Sequence, residues 1–370
     1  MSISVAADKV VKRFATSEGG KASKTALDSV SFDVQAGELF GFIGPDGGGK
    51  TTLFRILVTL MTPDAGKATV LGLDVVRDLW AIRQRVGYMP GRFSLYPDLS
   101  VEENLRFFAA VFNTTIQASY DQIAPIYEQL APFKDRRAAA LSGGMKQKLA
   151  LCCALVHKPE VLFLDEPTTG VDAVSRREFW DLLARLKQQG LTVVVSTPYM
   201  DEADRCDRVA LIQRGRLLGV DAPAAIAGAF DRPLLAVKAA KRYEALLALR
   251  RFPHVRSALP FGEVHHYTDD RADAPAPVVA DELRQFLDRE GLSEVEIAAV
   301  PPSVEDVFIA RMGDPDAPGV LRDARPTDAV GRDPRSGSAG DDVGRASRSR
   351  PAGSAVGRDP RSGPAGNDNA

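Results

Sequence analysis

Residues 37–57 read GELFGFIGPDGGGKTTLFRIL. The stretch begins with a run of apolar residues that suits a buried strand ending at Gly44. A glycine-rich loop follows, Gly44, Pro45, Asp46, Gly47, Gly48, Gly49, and then Lys50, Thr51 and Thr52. The segment KTTLFRILVTLM reads as an amphipathic helix that stops at the turn TPDAG. The loop fits G-x-x-x-x-G-K-S/T in the context that pattern needs, after a strand and before a helix. Glycine there lets successive backbone N–H groups turn inward around phosphate oxygens. The helix N-terminus adds positive potential. Lys50 is expected to reach the outer phosphates and the Thr51 hydroxyl to ligate Mg²⁺. The stretch therefore predicts an α/β nucleoside triphosphate site.

Three further stretches bear on that site. VLFLDEP, Val161 to Pro167, is an apolar run that ends in two carboxylates. Asp165 at the end of a buried strand suits holding Mg²⁺, and Glu166 suits positioning or deprotonating an attacking water. LSGGMKQK, Leu141 to Lys148, is a second glycine-bearing helix start, in which Ser142, Gly143 and Gly144 form another anion site. One phosphate loop needs only one such helix, so the second is expected to serve a different molecule. TVVVSTPYMDEAD, Thr192 to Asp204, is a strand, a proline and an acidic helix start. Proline cannot donate to a ladder, so Pro198 suits a strand exit.

Around these motifs, residues 1–225 alternate strand-like and helix-like segments, the pattern of an α/β domain. A mostly helical insert is expected over about 92–155, with Ser100 three residues before Glu103 as a capping box. VALIQRGRLLGV reads as a closing hairpin. Residues 226–312 read as a small β-α-β-β-α-β unit. In that unit adjacent His265 and His266 face opposite sides of a strand, which makes a shared metal improbable. Residues 313–370 have no aromatics, balance nine Arg against nine Asp, and repeat AVGRDPRSGSAG almost unchanged as AVGRDPRSGPAG. Such a segment reads as a disordered tail.

The 370 residues carry a formal charge of −2, which argues against a nucleic-acid binder. No apolar run approaches the ~20 residues of a membrane span, and the first residues lack the core of a signal peptide. The expected location is therefore cytoplasmic. Three cysteines in no metal-ligand spacing suggest reduced thiols, with Cys152 and Cys153 in the core.

Taken in order and spacing, GPDGGGKTT, LSGGMKQK, VLFLDEPTTGVD and STPYMDEAD resemble the nucleotide-binding subunit of ATP-binding cassette (ABC) transporters. The resemblance covers residues 1 to about 225. SLYPDLSVEENL and PPSVEDVFIARM are similar to stretches of drug-type and polysaccharide-type exporters, and the GPDG start to a multidrug-export branch. The resemblance implies a P-loop NTPase (RecA-like) core with an antiparallel β subdomain and a helical insert. It implies a head-to-tail dimer that sandwiches two Mg-ATP, each on one subunit's phosphate loop and under the other's signature loop, here Ser142, Gly143, Gly144 and Gln147. It further implies that Phe14 stacks on adenine and that Asp172 lies at the dimer interface. Membrane-spanning permease subunits are the implied partners, with the chain peripheral on the cytoplasmic face of the membrane. A non-transport regulator of the same family is the alternative reading.

The chain departs from the family pattern at three positions. Pro198 stands where the family has a His that bonds the γ-phosphate, and no other His lies between His157 and His254. Gly91 stands where the family has a Gln that links Mg²⁺ and water to the helical insert. Asp46 stands for the usual Asn. Losing a positioned polar group at a reacting centre costs on the order of 10²–10³ in rate. The expectation is a site that binds Mg-ATP firmly and hydrolyses it slowly, in a mixed dimer with a better-equipped partner. A homodimer that works through Glu166 alone is the competing arrangement.

Overall fold

A computed structural model describes residues 2–15, 23–91, 95–292 and 294–313. The described residues all fall within one compact unit. The tail expected at 313–370 falls almost wholly outside the described residues.

The chain begins with two long antiparallel strands, β1 (Ile3–Ala15) and β2 (Ser23–Gln35). The central strand β3 (Leu39–Ile43) follows, buried at every residue, and then helix α1 (Lys50–Leu57). Strands β4 (Ala65–Val70) and β5 (Leu73–Asp74) complete an antiparallel sheet of order β2-β1-β4-β5. Helix α2 (Leu79–Arg85) leads to β6 (Val86–Met89). Three helices come next, α3 (Val101–Val111), α4 (Tyr120–Leu130) and α5 (Gly143–Leu155). The chain then runs through β7 (Val161–Asp165), α6 (Ala173–Gln188) and β8 (Thr192–Thr197). A 3₁₀ turn, Met200–Arg205, precedes the hairpin of β9 (Arg208–Gln213) and β10 (Arg216–Asp221). The acidic start after Pro198 is thus this short turn and not an α-helix.

The second sheet has the order β10-β9-β3-β8-β7-β6, parallel except at β10. Because it is covered on both sides, its strands read as continuous apolar runs. Alternate residues serve two cores. Phe40, Phe42, Phe163 and Val194 face α1 and the antiparallel sheet. Ile43, Leu162, Leu164, Val193 and Val195 face the α3–α6 side. Aromatic rings run through the first of these cores, with centroids of Phe42 and Phe54 5.9 Å apart and of Phe54 and Phe163 5.8 Å apart. Helix α5 is apolar on nearly all sides, which explains why Cys152 and Cys153 are buried free thiols. Burial drives both thiol pKa values far up, so neither is reactive.

After α7 (Pro223–Gly228) come β11 (Leu234–Ala239), α8 (Arg242–Leu249), β12 (Val255–Phe261), β13 (Val264–Asp269), α9 (Ala276–Arg289) and β14 (Val295–Ala299). The strands form an antiparallel sheet of order β12-β13-β11-β14, and α8 and α9 share a core with one of its faces. His265 and His266 do face opposite ways: His265 meets the carbonyl of Arg242 on α8, and His266 meets Asp306. The last helix, α10 (Val304–Gly313), returns to the first body and places Val304, Val307 and Phe308 in the core beside α7. No described helix is long and apolar enough to cross a membrane.

Candidate active site at the strand ends

The carboxyl ends of β3, β7 and β8 converge, the usual place for a ligand site in an open parallel sheet. In register, Ile43 lies beside Thr197, and Asp165 beside Ser196. Just beyond these ends sit the glycine loop, the two carboxylates and Pro198.

The loop's shape depends on its glycines. Gly47 and Gly49 have φ of 75° and 111°, the left-handed region. A Cβ on Gly44 would lie 1.9 Å from the carbonyl oxygen of Ile212, and one on Gly49 2.7 Å from that of Ala26. The loop therefore packs its backbone against β9 and β2, and its far side stays open, with Asp46 and Gly47 exposed. Lys50 is buried at the first position of α1. Its Nζ donates to the carbonyls of Gly44 (2.8 Å) and Pro45 (3.1 Å). The ammonium lies 3.2 Å from a Glu166 carboxylate oxygen and 3.9 Å from Asp46. Thr51 and Thr52 are half-buried on the first turn of α1.

Asp165 is buried, and its Oδ1 accepts a 2.5 Å bond from the Ser196 hydroxyl. That hydroxyl also accepts from the backbone N–H of Glu166 at 3.1 Å. Ser196 therefore fixes both carboxylate residues at once, a role that strand register alone reveals. Glu166 adopts φ of 52°, a strained conformation for a side chain of this kind. Nearby, burial and the Asp165 charge push the Tyr88 phenol up to about 12, so Tyr88 stays a neutral group at the site's flank.

A second group of polar residues braces the Pro198 turn. Glu202 is buried and accepts from Thr168 at 2.8 Å and from the Thr197 hydroxyl. Arg176 on α6 lies 3.8 Å from Glu202, donates to Asp201 at 2.7 Å, and stacks over Tyr199. Neither Thr168 nor Glu202 stood out in the sequence, because the pair is 34 residues apart.

Two departures from the family pattern have different surroundings. Pro198 is half-buried directly after β8. Gly91 approaches the backbone closely: a Cβ there would lie 2.9 Å from the Asp165 carbonyl oxygen and 3.7 Å from the Glu166 Cβ.

The signature residues lie elsewhere. Ser142 caps α5 by accepting from the Met145 N–H at 3.3 Å, and Gly143 is exposed. A Cβ on Gly144 would meet the Ser175 hydroxyl at 2.6 Å, so Gly144 lets α5 approach α6. Gln147 is half-buried on the next turn. Asp172 caps α6 through the N–H groups of Val174 (3.1 Å) and Ser175 (2.9 Å), and the Ser175 bond leads in holding its carboxyl below the usual range. Phe14, at the exposed end of β1, is 39% exposed with the Lys12 ammonium 5.8 Å from its ring centroid. It is a surface aromatic and not a core residue.

Residues 27–169 match the sequence profile of the ABC transporter family. Over 200 residues the chain is 44% identical to the probable multidrug ABC transporter ATP-binding protein YbhF of Escherichia coli, covering 54% of this chain and 35% of that one. The chain thus spans about a third of the length of that relative. Over 294 residues it is 36% identical to the Nod factor export ATP-binding protein I of Neorhizobium galegae, covering 78% and 81% of the two chains. In fold it matches the dimeric post-hydrolysis ATP-binding cassette MJ0796 bound to ADP and Pi, with a TM-score of 0.54 at 24% identity over 59% of this chain and 98% of that one.

Proposed function

The chain belongs to the family of ABC transporter ATP-binding proteins, and we propose that it is the ATP-hydrolysing subunit of an export complex whose membrane-spanning permease subunits are separate chains. The observation that carries this reading is the buried Lys50 ammonium. It sits between the glycine loop and Glu166 at the meeting point of three strand ends. The names of the relatives, multidrug and Nod factor export, support export as the direction of transport.

In this reading the loop N–H groups and Lys50 hold the ATP phosphates, and Phe14 stacks on the adenine. Glu166, fixed through Ser196, orients and deprotonates the attacking water. The hydroxyl of Thr51 and the carboxylate of Asp165 are hard oxygen donors of the kind Mg²⁺ takes. Among the described residues Asp165 receives a hydrogen bond on Oδ1 only, which suits that role. Mg²⁺ held there would neutralise phosphate charge. Ser142, Gly143, Gly144 and Gln147 would close on the ATP of a second nucleotide-binding subunit, with Asp172 at the interface. ATP binding then closes the dimer and hydrolysis reopens it, a ligand-driven shift between two states.

Pro198 supplies no γ-phosphate donor, and Gly91 no side chain toward the metal and water. The chain's own site therefore binds ATP firmly and turns it over slowly, and its signature loop serves a more active partner in a mixed dimer. The test is Mg-ATP binding and turnover by the purified chain. The expected result is ATP affinity that Lys50→Ala abolishes, with turnover well below the ~10 s⁻¹ of an ordinary enzyme. Turnover at that ordinary rate, abolished by Glu166→Gln, would overturn the slow-site reading while leaving the ATPase reading intact.

A further inference from the structure

The sheet β12-β13-β11-β14 packs α8 and α9 against one face. On the other face a cavity of about 350 Å³ lies between β12, β13 and α10. This volume falls at the lower end of small-molecule sites. Leu234, Leu259 and Phe261 from the sheet and Ile309 from α10 supply apolar walls. The Phe261 ring lies flat on that of His266, with centroids 3.9 Å apart at 10°.

The charged residues of the cavity differ in how far they are satisfied. Asp306 is fully engaged: it accepts from His266 Nδ1 at 2.6 Å, and from the Ser303 backbone N–H and hydroxyl. Both of its oxygens are therefore occupied within the wall. Arg232 is anchored by one end, with Nη1 donating to the carbonyl of Asp270 at 2.7 Å. Its Nε is buried with no hydrogen-bond partner, 3.7 Å from the exposed Asp231 carboxylate. A buried donor left unpaired is costly, and native proteins rarely keep one without a use. Arg256, on the rim, makes no hydrogen bond or ion pair with any described residue and is exposed. Two guanidinium groups thus line one cavity with a flat aromatic wall: Arg232, whose buried Nε points away from the open space, and Arg256, which has no described partner, with the Asp231 carboxylate and the Ser257 and Thr268 hydroxyl groups also in the lining.

We propose that this cavity binds a small aromatic carboxylate, its ring between the Phe261–His266 pair and the α10 wall and its carboxylate on Arg232 and Arg256. The chemistry follows from the parts. Guanidinium donors match a planar carboxylate, and charge-assisted bonds of this type are the stronger class. The site uses none of the residues assigned to the nucleotide. It shares α10 with the core beside Ala203, in the turn that follows Pro198, and Cys206, just past that turn.

The experiment is calorimetric titration of the full chain with 1-naphthoate, and with 1-naphthalenemethanol as the same ring without the charge. Saturable 1:1 binding of naphthoate is expected, at least tenfold tighter than the alcohol. Arg256→Ala removes an exposed side chain with no described partner, so the fold is retained; it is expected to weaken naphthoate roughly tenfold and leave the alcohol unchanged. Ala310→Phe, which fills the cavity from α10, is expected to abolish both, and Lys50→Ala to change neither. Equal affinity for the two ligands, no saturable naphthoate binding, or naphthoate binding untouched by Arg256→Ala would each overturn the proposal.

Discussion

Gly91 packs closely against the Asp165 carbonyl, and this makes the two family departures unequal. Restoring a His at position 198 places a side chain at an ordinary strand exit. Pro198→His is expected to raise Mg-ATP turnover by up to about 10²-fold with little change in ATP affinity, read by phosphate release at saturating ATP. Restoring a Gln at position 91 forces a Cβ to 2.9 Å from the Asp165 carbonyl oxygen. Gly91→Gln alone is expected to cost about 1–3 kcal/mol of stability, as overpacking does, seen as a lowered urea midpoint. The motif residues at these positions were readable in the sequence because glycine loops and paired carboxylates carry their chemistry in their spacing. Ser196 was not readable. A serine in an apolar strand carries no signal until the parallel register sets it beside Asp165. His157 supplies a pH-dependent counterpart. Its ring stacks on Phe112 and its Nε2 donates to the Val86 carbonyl at 2.9 Å. Burial lowers its pKa below 6.5, with the Val86 bond opposing. The folded chain then binds fewer protons than the unfolded chain, so this contribution is present above about 6.5 and is lost as pH falls below it. Urea midpoints measured at pH 7.5 and 5.5 should drop at the lower pH, and His157→Gln should flatten that drop.

At the scale of elements, local signals were read well wherever a side chain acts on its own backbone. The capping box at α3 is one: Ser100 accepts from the Glu103 N–H at 3.2 Å, and Glu103 accepts from the Ser100 N–H at 2.8 Å. Ser100→Ala is expected to cost about 1 kcal/mol, measured by chemical denaturation. Four residues on, buried Asn104 ties the preceding loop to the helix. It accepts from the Tyr96 N–H and donates to the carbonyls of Tyr96, Leu99 and Ser100. Its alanine variant should cost more than the cap, about 2 kcal/mol, because three part-buried carbonyls and an N–H lose their shared partner. Strands β1 and β2 were less legible. Their pairing shifts register at several points, and Lys9 and Ser29 turn through positive φ of 50° and 59°. Each shift breaks the period-two alternation on which a strand reading rests. The acidic residues after Pro198 predict a helix start. Yet Glu202 is drawn inward by Thr168 and Thr197, and the segment closes as a 3₁₀ turn.

At the scale of the whole molecule, the order β-α-β-β-α-β after residue 226 was legible from alternating patterns, but the path of α10 was not. Its apolar residues are spread around the helix, so no stripe announces which body it covers. The structure sends it back past the last sheet, where Arg311 donates to the Leu218 carbonyl at 2.6 Å. Val304, Val307 and Phe308 share a core with Ile226, Leu218 and Cys206. The helix is then part of the body that carries the nucleotide site, although its sequence follows the C-terminal sheet. Phe308 is only 4% exposed. Phe308→Ala should therefore cost about 3–5 kcal/mol in that body, the range for emptying a buried aromatic position. The discriminating measurement is a urea titration followed separately by ATP-binding competence and by far-ultraviolet circular dichroism. If α10 belongs to that body, ATP binding is lost at a lower urea concentration in the variant than in the parent chain. If the helix served the C-terminal sheet alone, ATP binding would fade at the parent's midpoint while part of the strand signal melted early.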